Sequence, residues 1–380
     1  MTVENELKHK KRISFTLPIK EGSKRLRWID QARGFIMLFL CLTLVEEVWE
    51  SFTTEGTFFF FVTQHADVDA TYMTLFDIGV PAFMFILGLS FVLSFNKRKN
   101  QKGTSNAILR VVLRALLLIL LGYFFLLIEH EFDFGVLFEY SDEAGFIIPR
   151  WDVMPSLGLA TLVALPFNFI KSPKYRLIAA YIWMLLYQIL SIFTSIRYYA
   201  SLTFNGGIFG TIFTLSGVVI VAASLGEYIF TTEHPPKWKY ANMAILGVFN
   251  LVFGLVLGLI PGWEPSKRIS TFSFGLISLG VIILSLLVFV YFDEKKDWNL
   301  GYLLSFGIQP FFAYFMAEVL YQVPKGLLDI TTTGYWILTG VIIVVTSVVN
   351  MIFYKKKRYV PTEIAILYFT IIGILFSFVA

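Results

Sequence analysis

The chain has 380 residues, of which 57% are hydrophobic and 15% are charged, and its mean hydropathy is +0.71. This balance excludes an ordinary soluble globular domain and indicates a membrane protein. Basic side chains near anionic lipid head groups account for the net charge of +4, so no nucleic-acid partner is predicted.

The first 28 residues are polar and basic, and they predict a cytoplasmic tail with no cleavable signal peptide. Residues 29–380 form one predicted membrane domain, which contains eleven apolar runs. Each run is close to the roughly 20 residues that a helix needs to cross the hydrocarbon core. The runs lie near 32–50, 72–95, 106–128, 152–170, 175–196, 205–229, 240–260, 271–292, 299–323, 334–354 and 361–380. The runs do not alternate as barrel strands do, so we predict an all-α polytopic bundle of about eleven transmembrane helices.

The loop charges predict the orientation of this bundle. With the N-terminus in the cytoplasm, the segments on that side carry 23 Lys and Arg residues, against 5 on the opposite side. Positive charge accumulates in cytoplasmic loops, so the N-terminus is predicted to be cytoplasmic.

The first run carries charge at both ends. Asp30 and Arg33 are three residues apart and share a helix face, either as a self-neutralised interfacial pair or as part of a ligand site. Glu46 and Glu47 lie near the other end of the run and cannot share a face. One of them is either a proton-handling carboxylate inside the bundle or, like its neighbour, a hydrated group at the rim.

The second run begins beside one of only four histidines, His65. This imidazole is either an interfacial loop residue or the one neutral-pH base near an acidic cluster that includes Asp67 and Asp69. Pro81 has no N–H to donate to the carbonyl of Asp77, so an irregular turn and the end of a polar cavity are predicted there. No second histidine lies close in sequence, and no metal site is predicted.

The third run carries Arg110 and Arg114 at helical spacing, one turn inside its predicted cytoplasmic end. These side chains either extend to the lipid head groups or bind phosphate, which guanidinium groups do in a bidentate manner.

Several stretches resemble a known family. RLRWIDQARGFIMLFL (25–40) resembles the entry motif of membrane acyltransferases, and the segment 65–95 resembles the catalytic region of heparan-α-glucosaminide N-acetyltransferases. In that region a histidine precedes a Thr-x-x-Asp-x-x-x-Pro-x-Phe-x-Phe-x-x-Gly motif. The motif is present here as Thr74, Asp77, Pro81, Phe83, Phe85 and Gly88. Weaker similarity continues at 151–167, 265–280 and 306–314.

The resemblance implies transfer of an acetyl group from cytoplasmic acetyl-CoA to an amino or hydroxyl group of a sugar or glycan on the other side. His65 would be the catalytic base or a transient acetyl carrier, and Asp77 would orient it or line the pocket. Glu46 is the polar residue nearest to the place where the family commonly has an asparagine, and it completes the predicted catalytic set. The predicted residues for acyl-CoA binding are Asp30, Arg33, Arg110 and Arg114.

Two other classes of function are open at this stage. Intramembrane carboxylates and the prolines Pro81 and Pro310 are also typical of secondary transporters, although no internal repeat is found. A membrane protein that keeps the scaffold with altered chemistry is the other alternative. A bacterial plasma membrane is the predicted location, with membrane lipids as partners and a homodimer as a compatible assembly.

Overall fold

The computed structural model describes residues 17–18, 27–43, 58, 66, 72–129, 133–141, 146–231, 233–327, 332–360 and 364–365. These residues are mainly helical. The helices are, in chain order, α1 (Arg27–Thr43), α2 (Gly79–Lys102), α3 (Thr104–Glu129), α4 (Val153–Phe167), α5 (Pro173–Phe193), α6 (Ile196–Ser201), α7 (Gly207–Gly210), α8 (Ser216–Thr231), α9 (Pro236–Leu257), α10 (Phe272–Lys296), α11 (Gly301–Ile308), α12 (Pro310–Leu327) and α13 (Thr332–Lys355).

Short strands and turns connect these helices. Strand β1 (Leu17–Pro18) pairs antiparallel with β4 (Arg358–Tyr359), and β2 (Phe138–Ser141) pairs antiparallel with β3 (Phe146–Pro149). The β1–β4 pair brings the N-terminal segment next to the end of α13. The single-turn elements are 3-10 turns over Phe76–Ile78, Phe134–Leu137 and Phe204–Gly206, and a π-helical turn over Thr211–Leu215 between α7 and α8.

Local chemistry explains several helix boundaries. The side chain of Thr271 accepts a hydrogen bond from the backbone N–H of Phe274 and caps the start of α10. Pro173 occupies the first position of α5, where its missing N–H has no helical partner to lose. At the junction of α2 and α3, Gly103 has a φ of +85°, which favours glycine.

The helices confirm an all-α protein with membrane-spanning segments. Seven helices in the described part of the chain are long and apolar enough to cross a membrane, and the bent pair α11–α12 would make an eighth. The predicted runs 32–50 and 361–380 extend into residues outside the described part. The total of about eleven spans and the cytoplasmic N-terminus stay predictions.

Three spans lie at the centre of the bundle. Between 67% and 78% of the residues in the apolar windows of α2, α10 and the α7–α8 span are buried, against 22–33% for α3, α5, α9 and α13. Close approach of α2 and α8 requires small residues. A Cβ on Gly88 would lie 2.5 Å from the carbonyl oxygen of Val219, and one on Gly226 would lie 2.7 Å from that of Leu89.

Helices α1 and α11 touch through their backbones. A Cβ on Gly34 would lie 1.8 Å from the carbonyl oxygen of Leu303, and a Cβ on Gly307 would lie 1.7 Å from that of Asp30. Next to this contact, Nη1 of Arg33 donates to the Gly307 carbonyl at 3.2 Å. The arginine therefore binds a carbonyl near the C-terminal end of α11.

The chain bends sharply at Pro310. Helices α11 and α12 meet at an angle of 89°, with Gln309 between them. Its Nε2 donates to Oδ1 of Asn350 at 2.7 Å, and its Oε1 accepts from the backbone N–H of Val360 at 3.1 Å. The amide side chain thus ties the bend to α13 and to the segment that follows it. At Pro81 the irregularity takes another form, because a 3-10 turn over Phe76–Ile78 leads directly into the first turn of α2.

Candidate functional site

A large cavity opens between α1, α2, α3 and the bend of α11–α12. Its volume is about 440 Å³, within the range of small-molecule sites. Apolar side chains of α2 and α3 form much of its wall. The guanidinium groups on its wall belong to Arg33, Arg98, Arg110 and Arg114.

The four arginines reach the cavity from three helices. Arg110 and Arg114 lie on α3, Arg98 lies near the end of α2, and Arg33 comes from α1. Four guanidinium groups thus line this cavity, and no Asp or Glu is among its described lining residues. Such a surface attracts anions, and several guanidinium groups together suit a ligand with more than one phosphate.

A second, smaller cavity of about 100 Å³ lies at the other end of this part of α2. It is mostly apolar, with one carboxylate from Asp77 and one ammonium group from Lys267. The remaining lining residues are Met37, Leu40, Phe76, Gly79, Val80, Phe83, Val153, Met154, Phe311 and Tyr314.

Asp77 is buried in a dense set of contacts, with 1% of its surface exposed. Its Oδ2 accepts from the backbone N–H of Thr74 at 2.8 Å, from Oγ1 of Thr74 at 3.1 Å and from the N–H of Ala66 at 3.4 Å. Its Oδ1 lies 3.5 Å from Nζ of Lys267. The carboxylate therefore joins the start of α2 to the loop before α10 and to the residue that follows His65 in the sequence.

The loop that carries Lys267 is fixed by backbone contacts. The three carbonyl groups directly after Lys267, those of residues 268–270, accept hydrogen bonds from three other elements. The donors are the N–H of Gly206 at 2.7 Å, Oη of Tyr187 at 2.6 Å and Oγ1 of Thr214 at 2.6 Å. The backbone beside Lys267 is thus held in position before any ligand binds.

The two cavities lie back to back. Among the described residues, Phe83 and Phe311 are the ones that line both. Their rings meet edge to face, with centroids 5.7 Å apart and an interplanar angle of 82°. The arginine-lined cavity and the cavity at Asp77 are therefore neighbours across one pair of aromatic rings.

The structure places the site residues predicted from sequence at different positions. Arg33, Arg110 and Arg114 share the large cavity, and Asp77 lines the small one. Asp30 is not among the described lining residues of either cavity, and its Oδ1 accepts from Nη1 of Arg33 at 2.8 Å. It therefore holds a lining arginine.

Two predicted catalytic residues, His65 and Glu46, lie outside the described residues.

Sequence reasoning missed two charged residues of these cavities. Arg98 lies between the predicted runs 72–95 and 106–128, whereas α2 continues to Lys102 and carries it along the cavity. Lys267 lies between the predicted runs 240–260 and 271–292. The weak similarity at 265–280 was the one signal that could have identified it.

Within the described residues, no group of three or more His, Cys, Asp or Glu side chains is arranged to hold a metal ion. The charged groups that face the cavities are instead guanidinium, ammonium and carboxylate groups.

The bundle and its cavities define an integral membrane protein with an arginine-lined cavity beside a buried carboxylate–ammonium pair. Comparison with protein families identifies it further. The model of the heparan-alpha-glucosaminide N-acetyltransferase catalytic domain matches residues 25–214, which are 190 of the 380 residues. The chain belongs to this family of membrane acetyltransferases, as the resemblance in its sequence predicted. A comparison with curated proteins gave no match.

Proposed function

We propose that the protein transfers an acetyl group from acetyl-CoA to an amino or hydroxyl group of a sugar or glycan on the opposite side of the membrane. The observation that carries this proposal is the adjacency of the two cavities. One is lined by four arginines, and the other is lined by Asp77 and Lys267. A transferase that joins a donor from one side to an acceptor from the other needs two such neighbouring sites.

The large cavity would hold the CoA part of the donor. Arg33, Arg98, Arg110 and Arg114 would bind its phosphates through charge-assisted hydrogen bonds. Asp30 would keep Arg33 oriented through their contact of 2.8 Å. The apolar walls from α2 and α3 would surround the pantetheine arm, which would point towards Phe83 and Phe311.

The small cavity would hold the thioester during transfer. The acceptor nitrogen or oxygen would form a bond to the acetyl carbon, the carbon–sulfur bond would break, and CoA would leave as the thiol. We propose that His65 either removes the proton from the acceptor or carries the acetyl group transiently. The hydrogen bond from Ala66 to Asp77 supports a role for Asp77 in orienting this segment. Lys267 would hold Asp77 and place positive charge where negative charge develops on the carbonyl oxygen. Glu46 remains a proposed member of the set from sequence alone.

The first test is the release of CoA from acetyl-CoA by purified protein in liposomes, with glucosamine as acceptor. His65→Ala should lower this release by roughly 100-fold or more, since a positioned general base contributes about that factor. His234→Ala is the matched control, because His234 is exposed between α8 and α9 and should leave the rate unchanged.

Normal release by the His65→Ala variant would contradict the assignment. Binding of CoA without release, for any sugar acceptor, would point to a scaffold with altered chemistry. Failure to bind CoA would favour a secondary transporter.

We further propose that residues 29–380 act as one domain after the basic tail 1–28, in a bacterial plasma membrane. Lipids would surround the exposed apolar faces of α3, α5, α9 and α13. A homodimer is compatible with these faces, and light scattering of the detergent-solubilised protein would test it.

A further inference from the structure

The contact between Phe83 and Phe311 separates the two cavities. Both side chains are almost fully buried, with 6% and 5% of their surfaces exposed. Edge-to-face packing of their rings gives the pair an attraction beyond simple burial. Among the described residues, these two rings are the ones that lie between the arginine-lined cavity and the cavity at Asp77.

Each ring belongs to a residue near the start of a helix. Phe83 follows Pro81 by two residues near the start of α2, and Phe311 follows Pro310 at the bend into α12. The bend is tied to α13 through Gln309 and Asn350. This hydrogen bond restrains the bend beside Phe311, so rotation of the rings is the smallest movement that would open a passage.

The small cavity limits what can pass. Its volume of about 100 Å³ compares with about 440 Å³ on the other side of the rings. The cavity at Asp77 is thus much the smaller of the two, and it favours a correspondingly small group. An acetyl group and an attacking atom fit this space, whereas a long acyl chain would have to displace buried side chains such as Val80 and Met154.

We propose that Phe83 and Phe311 form an aromatic partition between the donor and reaction cavities, and that this partition restricts transfer to short acyl groups. The restriction on acyl length rests on the proposed function, and the partition itself can be tested without it.

The first readout is selectivity among acyl donors. Acetyl-CoA and octanoyl-CoA are compared as donors in liposomes for the wild type, Phe83→Leu and Phe311→Leu. The ratio of octanoyl to acetyl transfer should rise about tenfold or more in both variants, which is the effect expected when a pocket gains the space of one or more methylene groups. Phe85→Leu is the matched control, since Phe85 is buried on the same helix and is not among the described lining residues of either cavity. An unchanged ratio in both partition variants, or an equal rise in Phe85→Leu, would overturn the proposed role in acyl selection.

The second readout needs no enzymatic activity. Cys41 is the one cysteine of the chain, so a Cys41→Ala background that carries Val80→Cys presents a single thiol at the small cavity. The labelling rate by a small, charged, membrane-impermeant thiol reagent is measured in sealed vesicles, from the side that exposes Arg98. Adding Phe83→Leu should raise the rate about tenfold, and adding Phe85→Leu should leave it unchanged.

The two readouts separate the two claims. Equal labelling rates with Phe83 and with Leu at that position would overturn the partition, even if acetyl transfer is robust. Faster labelling in a protein that transfers no acyl group would support the partition and refute the acetyltransferase proposal.

Discussion

Replacement of Lys267 by methionine tests the buried ion pair at the small cavity. Nζ of Lys267 lies 3.5 Å from Oδ1 of Asp77, and the side chains are 14% and 0% exposed. Removing one partner of a buried pair typically costs 3–5 kcal/mol, because the other charge stays buried. The hydrogen bonds from Thr74 and Ala66 to Oδ2 remain, so we expect the lower end of this range, about 3 kcal/mol.

The free energy of unfolding is measured in micelles by SDS titration of helix content. Lys295→Met is the control, because Lys295 is exposed in the last turn of α10. The double variant Lys267→Met with Asp77→Asn should recover most of the lost stability, since it leaves no unpaired charge. If Lys267→Met and Lys295→Met lower stability equally, or if the double variant is no better than Lys267→Met, the reasoning about this pair is wrong.

Two further predictions concern helix packing and donor binding. Gly307→Ala should destabilise the protein by about 2 kcal/mol or more, because the added Cβ would lie 1.7 Å from a backbone carbonyl oxygen of α1, which cannot rotate away. Gly340→Ala is the control, because nothing lies within 4 Å of its added Cβ, and it should leave the SDS midpoint unchanged or raise it. An equal loss of stability in both variants would contradict this account. Arg110→Gln and Arg114→Gln should each weaken acetyl-CoA binding about tenfold in calorimetry, with a smaller difference from wild type at high salt. Lys97→Gln is the control, because Lys97 is exposed. Equal effects at all three positions would refute a phosphate site in the large cavity.

The seven spans found among the described residues were predictable because a membrane imposes a length of apolar sequence that few other structures need. Charges inside such runs are equally conspicuous, which is why Asp77, Arg110 and Arg114 could be singled out before their surroundings were known. The composition of a run does not reveal which runs are central. The burial of α2 and α10 depends on which helices pack around them, and glycines such as Gly88 indicate this only indirectly.

Lys267 and Arg98 could not be assigned to the site from sequence, for a physical reason. A lysine in a polar loop and an arginine in a basic segment are ordinary in sequence. Only the position of the backbone brings their side chains to the cavities. Lys267 reaches Asp77 because residues 268–270 accept hydrogen bonds from elements far away along the chain. Arg98 reaches the large cavity because α2 continues beyond its apolar run.

The family match ends at residue 214, but the small cavity is completed by Lys267 and Phe311, which lie beyond that point. The two portions of the chain therefore have to be compatible in sequence at this boundary. We expect a chimera of the first 214 residues with the second portion of a relative to transfer acetyl groups only when that portion supplies a cation opposite Asp77 and an aromatic ring opposite Phe83. Recombination between relatives would consequently be constrained at these two contacts, even though they form a small part of the molecule.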